Sequence, residues 1–186
     1  MWQAVLGDAR LYEVLVEMDE DLAAQARAEG CPHCGSRLHS ARYPRKPRGL
    51  PSGAPEEPFA TRRSFCCAVC RRRTTPASVR FLGRRVYVSA VVLLATAFAG
   101  PLSRRRVATL RERLGVTERT LRRWRDWWRG AFVQTAFWRM ARPGFVPAIE
   151  VRALPQALLD RFTGDDVTGR VVRALGFLSP LSTHAG

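Results

Sequence analysis

Hydrophobic positions recur at helical spacing over residues 8–29, where Leu11, Val14, Leu15, Met18, Leu22 and Ala26 share a face and Gly30 supplies a stop. The opposite face is acidic, which predicts a helix docked through its apolar stripe with a solvated acidic side; the alternatives are that this side shields the basic middle of the chain or docks on a partner. From Cys31 to Cys70 the period gives way to turns and short extended runs. Pro44, Pro47, Pro51, Pro55 and Pro58, with Gly49 and Gly53, predict a loop without regular structure over 44–58, and residues 61–66 read as a short strand. After Pro76 the helical period returns. Residues 86–99 read as an apolar helix ended by Gly100-Pro101, and 104–114 as a second helix capped by Ser103. A tight turn at Gly115-Val116 leads into a third helix, 118–129, capped by Thr117. Phe132, Ala136 and Met140 carry the pattern past Gly130. Pro143, Pro147 and Pro155 interrupt it, and 166–178 reads as a last amphipathic helix (Val167, Val171, Leu175, Leu178) with Asp165 and Asp166 at its positive end.

The charge changes this picture. The 186 residues carry 31 Lys and Arg against 16 Asp and Glu, a net +15, and of the basic residues only Lys46 is lysine. A GC-rich codon bias accounts for the preference for Arg but not for the excess. The distribution is uneven: residues 1–30 hold seven acidic and two basic side chains, residues 143–186 four of each, and residues 31–142 carry 25 basic against 5 acidic. A charge kept for solubility has no reason to segregate in this way, so a polyanionic partner is expected at the middle of the chain. The apolar run 86–99 is too short to span a bilayer, and the N-terminus carries neither the basic nor the apolar region of a secretory leader. A cytoplasmic, nucleoid-associated protein without a membrane partner is the expectation.

All five cysteines lie between residues 31 and 70. Cys31-Pro32-His33-Cys34-Gly35 is one CxxC knuckle and Cys67-Ala68-Val69-Cys70 is a second. Two residues between thiolates let both sulfurs reach one tetrahedral ion, so Cys31, Cys34, Cys67 and Cys70 are the expected ligands of a structural Zn²⁺. The alternatives at this site are Cys66 in place of Cys67, or His33 or His39 as a ligand. The 32 residues between the knuckles exceed the usual spacing, and the Pro-rich 44–58 segment accounts for the excess as an insertion between hairpin strands. A redox role for either CxxC lacks the βαβ setting it needs.

Leu121, Trp124 and Trp128 form the apolar stripe of the 118–129 helix, faced by Leu110 and Leu114, with Val116 under the turn that Gly115 permits. Helix, turn and helix in this form predict a DNA-reading unit. The outward Arg119, Arg122 and Arg123, with Thr117, are the expected groove contacts, because Arg can grip guanine in a bidentate manner. Arg104, Arg105 and Arg106 are placed for phosphates.

The order of these parts, a Cys-Pro-x-Cys-Gly knuckle, a second Cys-x-x-Cys followed by Arg71, Arg72 and Arg73, and then a helix-turn-helix, resembles the N-terminal portion of bacterial insertion-sequence transposases and small proteins encoded with such elements. The resemblance covers about residues 31–130 and implies binding to an element's terminal repeats in double-stranded DNA, with a homodimer or a transposase or recombinase as possible partner. It departs at Arg111, where a small residue usually sits four positions before the turn glycine. It departs again after residue 130, where Glu150, Asp160, Asp165 and Asp166 do not amount to the carboxylates of a ribonuclease-H-like catalytic domain. A non-enzymatic DNA-binding protein is therefore expected, mobile-element associated or a transcriptional regulator. The alternatives are a structured-RNA-binding zinc-ribbon protein and an adaptor of a recombination complex. The fold expected is mainly α with a small β zinc ribbon: an N-terminal helix (1–30), the ribbon with its insertion (31–79), a three-helix helix-turn-helix (80–142) and a short helical tail (143–186).

Overall fold

The computed structural model describes residues 2–183 apart from 52, 55, 83–86, 98–103 and 165, and describes only the backbone of Trp2, Gln3 and Arg106. The chain is mainly helical with a small antiparallel sheet. A first short helix, α1 (Trp2–Gly7), precedes α2 (Ala9–Glu29). Asp8 separates them and caps α2 by accepting from the Arg10 N–H at 3.0 Å. Strands β1 (Leu38–Pro44) and β2 (Thr61–Cys67) pair antiparallel, with Leu38 opposite Cys67, and β3 (Arg73–Thr74) adds to the other edge of β2. The β1–β2 connection is not wholly irregular, since Glu56–Phe59 forms one helical turn, α3, whose Phe59 is fully buried.

Three helices follow. All nine residues of α4 (Ser89–Ala97) are buried, as a helix apolar on every side must be. The positions proposed to begin and end it, Val86 and Ala99 with Gly100-Pro101, lie outside the described residues, as does the cap Ser103. Helices α5 (Arg104–Leu114) and α6 (Glu118–Arg129) have the bounds their sequence predicts. Thr117 caps α6, its Oγ1 accepting from the Thr120 N–H at 3.3 Å, and Gly115 turns with φ +61°. The helix does not continue past Gly130. The chain makes a 3-10 turn at Phe132–Gln134 and restarts as α7 (Ala136–Ala141), capped by Thr135. Phe132 packs against Trp127, Trp128 and Trp138, and the break aims it there; Met140 is left 83% exposed.

The tail closes the core. Helices α8 (Gln156–Leu159) and α9 (Val167–Leu178) bury Leu158, Leu159, Val171, Ala174, Leu175 and Leu178 in the same apolar cluster as Leu11 and Leu15 of α2, α4, and Trp124 and Trp128 of α6. Asp166 caps α9 by accepting from the Gly169 N–H at 2.7 Å, while Asp165 lies outside the described residues. The ribbon end has its own small cluster of Ala23, Cys31, Leu38, Phe65 and Cys67.

The acidic side of α2 is not simply solvated. Asp19 is 4% exposed. Its carboxylate accepts from Ser78 Oγ, the Val79 N–H and Arg80 Nε, each at 2.6 Å, and Arg80, equally buried, is its ion-pair partner. Arg80 also donates to the Pro58 carbonyl and lies over the Phe59 ring. Ser182 in the tail accepts from the Ser78 N–H at 2.7 Å and, through its carbonyl and hydroxyl, from Arg62 Nη2 at 3.1 and 3.2 Å. Burial, with Arg45 nearby, lowers the Arg62 guanidinium to about 10, which leaves it charged at neutral pH.

Removing one member of a buried ion pair strands the other charge, which typically costs about 3–5 kcal/mol. Asp19→Ala is accordingly expected to lower unfolding free energy by about that amount in urea titration. A loss below about 1 kcal/mol would mean that Arg80 finds water or another anion and that the pair does not hold the fold.

Candidate metal centre and basic helix face

Two backbone turns build the cysteine site. At the first, the Cys34 and Gly35 N–H groups fold back on the Cys31 carbonyl (3.3 and 2.8 Å), and the Cys31 N–H donates to the Ser36 carbonyl at 2.9 Å. Gly30 makes this possible: with φ +80°, a Cβ there would lie 2.8 Å from the Gly35 carbonyl oxygen. At the second, the Val69 and Cys70 N–H groups both point at the Cys67 sulfur from 3.4 Å, and the Cys67 N–H donates to the Arg72 carbonyl at 3.0 Å. Pairing of Leu38 with Cys67 brings the two turns together at one end of the sheet.

The Sγ atoms of Cys31, Cys34, Cys67 and Cys70 all lie within 4.8 Å of one another. Cys31 and Cys70 are 3.6 Å apart, and Cys34 and Cys67 are 3.5 Å apart. Sulfurs at the corners of a tetrahedron around Zn²⁺ would be separated by about 3.8 Å, given bonds of about 2.3 Å, so the four fit a metal ion with little movement. Without a cation they are electrostatically mismatched. Hydrogen bonds from Ser36 lower the Cys34 thiol to about 6. The Arg72 backbone N–H pulls Cys70 down, but burial and the neighbouring sulfurs outweigh it and raise that thiol to about 12. A divalent ion would replace this mutual opposition among neighbouring sulfurs by attraction to four thiolates.

Neighbours in a strand point to opposite faces, and this separates Cys66 from Cys67. The Cys66 sulfur sits 3.5 Å from the Arg71 carbonyl, outside the cluster. His33 is exposed, with Nδ1 3.3 Å from Arg72 Nη1, and His39 is exposed on β1; neither joins the four sulfurs.

The second candidate surface is built on α6. Leu121, Trp124 and Trp128 are buried; Trp124 meets the Tyr87 ring edge-on at 4.9 Å and Trp128 Nε1 donates to Thr96 Oγ1 at 2.9 Å. That stripe leaves Arg119, Arg122 and Arg123 exposed on one side, with Arg104 and Arg105 exposed on the first turn of α5. Arg106 lies in the same turn, and its side chain is outside the described residues. Arg122 is held by Glu118 one turn earlier, Nη2 to Oε1 at 2.5 Å, and the Thr117 hydroxyl is occupied by its cap. A groove of about 520 Å³ opens between α5 and the start of α6, lined by Arg104, Val107, Ala108, Arg111, Glu112 and Glu118. Arg111, where a small residue is usual, is one of the residues that line this groove.

Among the described residues no helix is long and apolar enough to cross a membrane. No protein family matches this sequence, and neither a curated protein nor a solved structure matches it.

The purified chain is expected to carry about one metal equivalent by elemental analysis. Cys31→Ser or Cys70→Ser should abolish binding and unfold the 31–75 region, because so small an apolar cluster leans on the ion. Cys66→Ser should keep the metal; its loss there, with retention in Cys67→Ser, would transfer the ligand role to Cys66.

Proposed function

We propose that this chain is a non-enzymatic, zinc-containing protein that binds double-stranded DNA in a sequence-dependent manner. In this reading Cys31, Cys34, Cys67 and Cys70 hold a structural Zn²⁺, and α5, the Gly115 turn and α6 act as a helix-turn-helix. The observation that carries it is the division of α6 into a buried Leu121–Trp124–Trp128 stripe and an exposed face of Arg119, Arg122 and Arg123, immediately after a capped turn. A helix anchored so firmly on one side presents its arginines as a fixed array, which is what base recognition in a major groove requires. Four thiolates fill a tetrahedral zinc shell and leave no position for substrate, so the ion's work is to hold the ribbon. Association with a mobile element, through its terminal repeats, rests on the resemblance of residues 31–130 to insertion-sequence transposases; transcriptional regulation is the other role open to the same chemistry.

The test is a duplex selected by the protein from random sequence, titrated against an unrelated duplex over a range of salt. Contact with on the order of five to eight phosphates gives a log K against log salt slope between about −4 and −7. Arg104→Ala or Arg105→Ala should flatten that slope by about one unit and leave preference alone, since phosphates carry no sequence information. Arg119→Ala, Arg122→Ala or Arg123→Ala should erode preference for the selected site by about 1–3 kcal/mol wherever the contact is bidentate to guanine. If all five merely weaken binding to every sequence alike, α6 reads no bases, and a general polyanion binder, RNA included, replaces this reading.

A further inference from the structure

The 45–51 segment, inserted between the two strands that carry the cysteine turns, does not hang free. The Val88 N–H donates to the Arg48 carbonyl at 3.2 Å, and Arg48 pairs with Tyr87 as an isolated parallel bridge. Gly49 follows with φ +79°, so close to the helices that a Cβ there would lie 3.2 Å from Val91 Cγ1 of α4, 3.6 Å from Tyr87 Cδ1 and 3.7 Å from the Leu114 carbonyl oxygen at the end of α5. Leu50 and Ala54 pack against the main core. Tyr87, which holds this segment, is itself in ring contact with Trp124 of α6. The insertion is thus fastened beside the residue that ends α5, one turn before α6 begins.

Its side chains are cationic where they are exposed. Lys46 and Arg48 face solvent, Arg45 is half-buried, and among the described residues no carboxylate forms an ion pair with any of the three. Pro44, Pro47 and Pro51 restrict the backbone on either side. A basic loop that merely spaced two strands would need neither a glycine pressed against α4 nor a bridge to Tyr87.

We propose that this insertion is a DNA-contacting element in its own right: Lys46 and Arg48 grip backbone phosphates of the duplex flanking the groove that α6 enters. The inference rests on the DNA-binding reading above and deepens it, by adding to the α5 and α6 arginines a clamp on the ribbon side of the turn. The chemistry favours phosphate over base edges. The anchor fixes the backbone at Arg48 and Gly49, whereas the lysine ammonium is a compact charge suited to a phosphate oxygen and poorly suited to a bidentate base contact. Because the segment is already ordered by its contacts with α4 and α5, binding loses little chain entropy there. The ribbon thereby touches DNA at a distance from its cysteines, and the length of the insertion has a purpose: it spans from the sheet to the helix pair.

The experiment compares the wild-type chain with the Lys46→Ala/Arg48→Ala double variant on the selected duplex and on the unrelated duplex. Arg10→Ala/Arg27→Ala, two exposed cations on the acidic helix α2, serves as the charge-matched control. Loss of two phosphate contacts should flatten the salt slope by about two units and weaken binding roughly tenfold or more at about 0.1 M salt, equally on both duplexes. Metal content and the unfolding midpoint should not change, because both side chains are exposed. The control should retain the wild-type slope. An unchanged slope in the loop variant, an equal change in the control, or a selective loss on the selected duplex would each overturn the phosphate clamp. If the wild-type chain binds neither duplex, it is the DNA reading that fails, and the two failures are told apart by the wild-type titration alone.

Discussion

A single carboxylate determines how the parts of this chain meet. Asp19 lies in the middle of α2 with both oxygens committed, Oδ1 to the Val79 N–H and Oδ2 to Ser78 Oγ and Arg80 Nε. Taking a carboxylate and a guanidinium out of water costs several kcal/mol each, and only complete hydrogen bonding offsets it. The 78–80 segment can therefore cross α2 in one register, since sliding by a residue would leave Asp19 or Arg80 buried without a partner. Around that crossing the rest is ordered. Ser89 at the start of α4 donates to the Val79 carbonyl, Ser182 in the tail receives the Ser78 N–H, and Arg80 reaches the Pro58 carbonyl before β2 begins. Apolar contacts supply the bulk of the stability, but they would tolerate small shifts; the polar crossing does not.

The same logic explains how an acidic helix and a strongly basic middle share one molecule. Glu20 forms a two-pronged pair with Arg63 of β2, at 2.6 and 3.0 Å, and Asp19 takes Arg80. These are the arginines that face α2, and the helix neutralises them where they are buried or half-buried. The arginines of α5 and α6 lie elsewhere. Arg104, Arg105, Arg119 and Arg123 remain exposed without such partners among the ion pairs seen, while Arg122 is bound to a Glu118 so open to water that the pair contributes little. Asp19 and Glu20 thus place negative charge where it supports the fold; buried Arg62 relies instead on the Pro76 and Ser182 carbonyls and the Ser182 hydroxyl, and the arginines of α5 and α6 named here lie on the outside.

What could be read from the residues alone follows from how local its cause is. The bounds of α5 and α6 were legible because a cap (Thr117), a turn glycine (Gly115) and a stripe at spacings of three and four all act within a few residues. The clustering of Cys31, Cys34, Cys67 and Cys70 was legible because CxxC spacing dictates a turn, and a turn aims both sulfurs one way. Asp19 was not. By periodicity alone an aspartate counts toward the polar face, and its partners come from residues 78–80, some sixty positions later. The restart after Gly130 escaped for a related reason: Phe132 and Ala136 do fit a helical period, but burying Phe132 against Trp128 and Trp138 needs a bend that the period cannot express. The one-turn α3 formed inside a proline-rich stretch because Phe59 gains a pocket between Tyr12, Phe81 and Arg80, a tertiary gain that outweighs local propensity.

The two ends of the molecule differ in what keeps them folded. The helical body buries a large contiguous apolar cluster, whereas the ribbon encloses little more than Ala23, Leu38, Phe65 and the cysteines themselves. A sheet of this size is marginal on its own. Besides the Arg62 bonds to Ser182 and the anchor at Arg48, two supports meet at its cysteine end. One is the cysteine cluster; the other is α2, which contributes Ala23 and Glu20 to the ribbon and Leu11, Leu15 and Asp19 to the body. Gly30 joins the supports, since Cys31 begins where α2 ends and the first knuckle closes against that glycine. One helix, α2, thus reaches from the first cysteine turn to the Asp19 crossing, and Val79 links that crossing to Ser89 of α4. The cysteine site and the basic helices are far apart in sequence, yet a continuous run of contacts through α2, residues 78–80 and α4 joins them. A metal ion held by these four cysteines would do more than close a hairpin: it would help to set where the ribbon, with its basic insertion, stands relative to α6.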